Sequence, residues 1–473
     1  MRYLSTRDAN AAPHRHTFEE VLLAGLAGDG GLYVPETVPV LSAAEIASLS
    51  GLSYAELAAR IIQPFLGEGF EPDIVRKITR DTYQGFTHAA VAPLKQLDSG
   101  LWLLELFHGP TLAFKDYPLQ MVGRLFDHVL AQRKKRLTIV GATSGDTGSA
   151  AIEACRDRDA LDVFILYPHG RPSAVQRRQM TTVQSANVHA IAIEGNFDDC
   201  QDMVKAMFAD AGMREDLNLS AVNSINWARI MAQIVYYFAA GLALGAPHRP
   251  VAFSVPTGNF GNIFAAHMAR RMGLPIERLV IGTNRNDILA RFVETGEMII
   301  GGVEASLSPS MDIQVSSNFE RFFFELKSRD GAATAAALQA FRATGRLPVT
   351  ETEWQAARHA FKSHRVDDTQ TRASIARTWK ESGELLDPHT AVSVAAARAE
   401  RDGPDGDPAV PMVALACAHP AKFPDAVEEE TGIRPALPPG LADLMERPER
   451  ITVLPNDLAT VKAFIRANAR KVV

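Results

Sequence analysis

The chain has 473 residues, 47% of them hydrophobic, with a net charge of −6. That length exceeds what one hydrophobic core fills, so two or three domains are expected. The mildly acidic balance, with only short and scattered basic clusters (Lys134-Lys135-Arg136, Arg177-Arg178, Arg270-Arg271), excludes nucleic acid and anionic membrane as partners. Cys155, Cys200 and Cys417 are widely spaced and odd in number, which argues for a reducing compartment without disulfides or structural zinc. The start lacks an apolar leader, and no apolar run reaches the ~18 residues a membrane span needs. A cytoplasmic protein is expected.

In chain order, residues 1–90 hold a turn-rich piece, Gly28-Asp29-Gly30-Gly31-Leu32-Tyr33-Val34-Pro35, and an amphipathic helix over Tyr54 to Phe65. They read as an N-terminal accessory domain. Beyond them short β-rich runs alternate with helical patterns: Leu101 to Leu106, Leu137 to Val140, Val163 to Tyr167, Val188 to Ile193, Val251 to Val255, Leu279 to Ile281 and Val410 to Ala416. Continuous apolar strands alternating with helices imply an α/β protein with parallel sheets covered on both faces. Ligands bind at the carboxyl edge of such sheets. Two strand ends there run into glycine loops that open helices: Gly141-Ala142-Thr143-Ser144-Gly145-Asp146-Thr147-Gly148-Ser149, and Pro256-Thr257-Gly258-Asn259-Phe260-Gly261-Asn262. Arg401 to Pro408 is a polar, breaker-dense surface loop.

Four features carry chemistry. The run from Glu105 to Asp116 places Lys115 at the end of an apolar stretch, just past Gly109-Pro110. Desolvation favours the neutral amine, the form that attacks an aldehyde and holds a Schiff base; the competing reading is a solvated surface charge. Each glycine loop leaves backbone N–H groups pointing one way at a helix N-terminus, which suits a phosphate, although glycine also simply makes tight turns. Neither loop is a Walker loop or a dinucleotide fingerprint. Asn223-Ser224-Ile225-Asn226-Trp227-Ala228-Arg229 offers amide, hydroxyl and guanidinium donors for a phosphate held by side chains, or else a helix cap followed by a surface arginine. Asp146-Thr147-Gly148-Ser149 spells an aspartic-protease string, but it occurs once and in a strand-to-helix context. His359 and His364 are five apart, a spacing that does not stack them on one helical face. No role follows from spacing for Ser308 to Arg321 or Leu386 to Ala391.

Taken together, His108 to Asp116, Gly141 to Gly148, Thr257 to Asn262 and Asp312 to Glu320, in this order, resemble the threonine synthase family in its longer bacterial and fungal branch. The likeness runs from Tyr3-Leu4-Ser5-Thr6-Arg7 to Cys417-Ala418-His419-Pro420-Ala421-Lys422-Phe423. It implies a fold-type-II pyridoxal 5'-phosphate enzyme with two parallel-sheet α/β domains plus the N-terminal domain. The implied reaction turns O-phospho-L-homoserine and water into L-threonine and phosphate. By the same resemblance Lys115 is the catalytic lysine that holds the cofactor aldehyde and moves protons at Cα and Cβ, and Gly258, Asn259, Phe260, Gly261 and Asn262 cradle the cofactor phosphate. Asp146 and Cys417 adjoin the cofactor ring, Thr143, Ser144 and Thr147 face the substrate carboxylate, and Asn223, Ser224 and Arg229 hold the substrate phosphate. The implied division is 91–130 with 245–473 as the larger, cofactor-binding domain and 131–244 as a smaller mobile one that closes over the ligand; a monomer or homodimer is expected. Two residues depart from the family pattern: Asn262 stands where aspartate is frequent, and Cys417 where a threonine hydroxyl usually meets the pyridine nitrogen. A thiol is the weaker partner. The alternatives are another fold-type-II lyase, such as a serine or threonine dehydratase, and a non-catalytic homologue.

Overall fold

The computed structural model describes residues 1–221 and 224–470. Two parallel sheets organise it. The larger runs Lys362–Arg365, Ile276–Thr283, Val251–Pro256, Met412–Ala416, Leu101–Glu105 and Leu94–Gln96 in spatial order, parallel throughout except for the last, antiparallel pair. The smaller runs Thr452–Pro455, Val188–Glu194, Leu161–Pro168, Leu137–Ala142 and Leu219–Ser220, all parallel. All seven expected strands are present, and the central ones are apolar because helices cover both faces.

The N-terminal region adds a two-stranded ribbon, Tyr3–Ser5 against Tyr33–Pro35, and four helices. The expected helix spans Tyr54–Leu66 and starts at a reciprocal cap, the Ser53 hydroxyl accepting from the Glu56 N–H while the Glu56 carboxylate accepts from the Ser53 N–H. This region shares one continuous core with the larger sheet rather than having its own. Its polar anchor is Glu320, whose carboxylate accepts from the Thr6 hydroxyl (2.6 Å), from Arg7 Nε (2.9 Å) and from Arg7 Nη2. Glu320→Ala strands a largely buried guanidinium and is expected to cost about 3 kcal/mol, read as a lower urea midpoint; an unchanged midpoint removes Glu320 as the anchor.

Two domain boundaries differ from expectation. Helix Trp227–Ala243, assigned from sequence to the smaller domain, packs against Asp116–Arg133, Gly261–Arg271 and Tyr54–Leu66. Its buried residues occupy nearly every position, because it lies between the N-terminal region and the larger sheet. The last strand, Thr452–Pro455, expected in the larger domain, pairs with Val188–Glu194 on the edge of the smaller sheet.

Candidate active site

Lys115 is placed by two adjacent strand ends of the larger sheet. Beyond Leu101–Glu105 and Met412–Ala416 the chains stay paired: Leu106 N–H donates to Ala416 O (2.9 Å), Phe114 N–H to Cys417 O (2.8 Å) and His419 N–H to Leu112 O (3.0 Å). The Gly109-Pro110-Thr111 turn is locked by buried Asp116, which accepts from the Thr111 N–H (2.8 Å) and hydroxyl (2.6 Å). Burial pushes that carboxyl up to about 6 in spite of those hydrogen bonds. Leu112 sits at φ 62°, a conformation unusual for a branched side chain and one that marks a constrained segment. Lys115 emerges at the start of helix Asp116–Arg133, 9% exposed, its Nζ 5.1 Å from the Phe114 ring centroid. The surface-charge reading of this lysine is therefore excluded.

Its ion-pair partner is Asp146, with Nζ 3.3 Å from Oδ2. Asp146 opens helix Asp146–Cys155 at the end of the first glycine loop. Its other oxygen forms an ion pair with Lys422 Nζ (2.9 Å) and accepts from Gln176 Nε2 (2.9 Å). Burial alone would raise this carboxyl, but the charges of Lys422, Lys115 and His389 and the Gln176 hydrogen bond hold it well below the usual carboxylate range. The loop's shape comes from Thr143, whose hydroxyl oxygen accepts from the N–H groups of Gly145 (3.0 Å) and Gly148 (2.8 Å), leaving only its proton to offer a ligand. Gly145 lies at φ 152°, and a Cβ there would sit 2.5 Å from Gln176 Cδ. Ser144 is exposed and Thr147 half-buried.

The second loop approaches from the neighbouring strand, Val251–Pro256. Phe260 takes φ 62°, and its ring is buried against Phe319 and Phe361 (5.3 Å each), so this residue serves a ligand through its backbone only. Gly258 passes so close to the 310–311 backbone that a Cβ would lie 3.0 Å from Ser310 O. Helices Gly261–Arg271 and Asp146–Cys155 both begin without a cap from their own N-cap side chain, leaving N–H groups of the first turn for an external acceptor, although in the second helix Thr143 takes that of Gly148. The Asn262 side chain turns inward: Oδ1 accepts from Tyr237 Oη (2.7 Å) and Tyr236 Oη, and Nδ2 faces Cys417 Sγ at 3.8 Å. Burial, with the Asp387 carboxylate nearby, pushes the Cys417 thiol up.

The third cluster divides between its two readings. Asn226 is a helix cap, its Oδ1 accepting from the Ala228 N–H (3.0 Å). Arg229 is no surface residue: it is 3% exposed, its Nε and Nη1 lack a partner among the described residues, and burial lowers its pKa to about 10. It shares a helix face with Gln233, Tyr236 and Tyr237, which lead to Asn262. Ser224 Oγ lies 3.4 Å from Ser317 Oγ, which donates to Asn259 Oδ1 at 3.2 Å, so this cluster adjoins the second loop. Asn223 lies outside the described residues. Sequence reasoning missed Lys422, Gln176 and the pair Asp387–His389 (2.7 Å), all fully or almost fully buried around Asp146. Asp387, His389 and Lys422 lie in stretches that stand out in the sequence, but only burial gives them and Gln176 a place beside Asp146, and one sequence does not display burial.

Family models described as threonine synthase N terminus and threonine synthase, C-terminal match residues 2–83 and 390–465, and a pyridoxal-phosphate dependent enzyme model matches 86–352 between them. The chain is 59% identical over 472 residues to threonine synthase of Pseudomonas aeruginosa, spanning 100% of this chain and 99% of that one. The chain belongs to the threonine synthase family. A crystal structure of pyridoxal-phosphate-bound threonine synthase from Brucella melitensis matches with TM-score 0.95 and 52% identity over 99% of this chain and 100% of that one. The yeast threonine synthase structure matches with TM-score 0.93 and 40% identity, covering 99% and 98%. The expected fold type II and the expected cofactor, pyridoxal phosphate, both hold. As a threonine synthase family member, the chain has residues that fit this cofactor: a buried lysine for its aldehyde, and glycine-lined helix N-termini with unfilled N–H groups for its phosphate.

Proposed function

We infer that this enzyme converts O-phospho-L-homoserine and water to L-threonine and inorganic phosphate, with Lys115 as the covalent and proton-moving group. The observation that carries the reading is Arg229, a buried guanidinium with no carboxylate pair among the described residues, beside a lysine site of fold type II. A plain amino-acid dehydratase has no second phosphate to place there.

Pyridoxal phosphate, when bound, supplies the electron sink for charge developing at the substrate's Cα. The Gly258 to Asn262 loop anchors its phosphate, and Asp146 and Cys417 adjoin its ring. Arg229, Ser224 and Asn223 hold the substrate phosphate, orienting Cγ for its loss. Thr143, Ser144 and Thr147 take the substrate carboxylate against the N-terminus of helix Asp146–Cys155. Lys115, beside Asp146, moves protons first at Cα and then at Cβ. Loss of phosphate from Cγ needs the Cβ proton removed beforehand; a proton then goes to Cγ to make the methyl group, water adds at Cβ, and Cα regains its proton. Closure of the smaller-sheet unit excludes water until that step.

We assign 91–130 and 224–443 to the larger unit and 131–221 with 444–470 to the smaller, following the sheet pairing, the helix packing and the contacts of residues 444–450 with 177–188. We further propose a cytoplasmic monomer or homodimer. Three buried free thiols fit a reducing compartment, and among the described residues no helix is long and apolar enough to cross a membrane. Incubation with O-phosphohomoserine is expected to release phosphate and threonine in equal amounts; 2-oxobutyrate in place of threonine overturns the assignment.

A further inference from the structure

Lys422 is a fully buried charge near the reacting lysine. It ends the short helical turn Pro420–Lys422 just beyond the strand end that carries Cys417, and it is 0% exposed. Its ammonium has two fixed partners: it donates to Thr111 O at 2.7 Å and forms an ion pair with Asp146 Oδ1 at 2.9 Å. One group thus ties the turn that leads into Lys115 to the aspartate that Lys115 faces. Gln179 Nε2 also donates to Thr111 O (3.0 Å) and Gln176 Nε2 to Asp146 Oδ1 (2.9 Å), so helix Ala174–Thr181 braces both of these acceptors from the smaller sheet's side.

The titratable groups around this point come from every packed element: Lys115 and Asp116 on the lysine turn, Asp146 on its helix, Asp387 and His389 at the start of helix Pro388–Arg401, the neutral thiol of Cys417 and the imidazole of His419 past the strand end, and Lys422. In so dry a place an uncompensated carboxylate beside Lys115 would bind any proton on that nitrogen tightly and slow its transfer. We propose that Lys422 is a positioning residue: it occupies one oxygen of Asp146 so that only the other faces Lys115, and its charge offsets that of Asp146 beside the reacting amine. This deepens the proposed function and rests on Lys115 holding the cofactor.

The test is a pH titration of the visible absorbance of the holoenzyme, which follows the proton on the nitrogen joining Lys115 to the cofactor. Lys422→Gln keeps hydrogen-bonding capacity and removes the charge. It is expected to move the midpoint up by about one pH unit, because Asp146 then stabilises the cationic form unopposed. Asp146→Asn is expected to move it down, and the double variant to return near the parent value. Turnover of Lys422→Gln is expected to fall roughly tenfold or more with little change in KM. A lysine that only props up the fold lowers the melting temperature and leaves the midpoint where it was; an unmoved or lowered midpoint overturns the proposal. If Lys422→Gln alone does not fold, the step from Asp146→Asn to the double variant removes the same charge without stranding Asp146, and the same upward shift is required. Loss of the band only in Lys115→Ala upholds the underlying reading, so an intact band with a fixed midpoint in Lys422→Gln defeats this inference alone.

Discussion

Lys115→Ala is expected to abolish turnover, by at least about 10⁴-fold, and to remove the visible absorbance of the bound cofactor. One side chain supplies both the covalent hold on the aldehyde and the proton transfers, so truncation removes two contributions together. The fold is expected to survive, because Asp146 keeps Lys422 and Gln176 as partners and the turn is locked by Asp116 and Thr111 rather than by the lysine. Borohydride trapping followed by peptide mass spectrometry locates the adduct in the parent enzyme. An adduct on Lys422, the other ammonium on Asp146, would reverse the roles of the two lysines.

Arg229→Met is expected to move activity and stability in opposite directions. A dianion loses its buried guanidinium, so kcat/KM for O-phosphohomoserine should fall about 10³-fold, equivalent to about 4 kcal/mol. Without ligand the same guanidinium is buried with Nε and Nη1 unpaired, and burial has already lowered its pKa to about 10. Replacing it by an apolar chain of similar length should therefore stabilise the ligand-free protein by about 1 to 3 kcal/mol. Because the folded pKa is lowered, the charged form is disfavoured on folding, and the penalty is present at neutral pH and fades as pH rises through about 10. Denaturant unfolding at pH 7 without phosphate, set beside steady-state kinetics, checks both halves. Unchanged kcat/KM with reduced stability would make Arg229 an ordinary structural residue.

Much of this architecture was legible as pattern. Central strands such as Leu161–Pro168 are buried along their whole length, so their sequence is a continuous apolar run. The four sheet strands that were missed, Leu94–Gln96, Leu219–Ser220, Lys362–Arg365 and Thr452–Pro455, are the outermost ones of the two sheets. Edge strands are short and paired on one side, so Lys-Ser-His-Arg can form one without any hydrophobic signature. The glycine loops were visible because a left-handed or close-approach backbone restricts residue choice, and Gly145 with its φ of 152° shows that restriction.

The amino-acid order alone determined the alternation of strands and helices, the two helix-opening loops and the candidate lysine, since each follows from local preferences and periodicity. Only the tertiary structure decided which charges meet. Arg229 and a surface arginine look alike in sequence, as do Lys422 and any lysine near a proline, because burial depends on which distant segments pack over a side chain. The site around Asp146 draws Lys115, Gln176, His389 and Lys422 from stretches far apart along the chain, and their joint electrostatics exist only once both sheets are assembled.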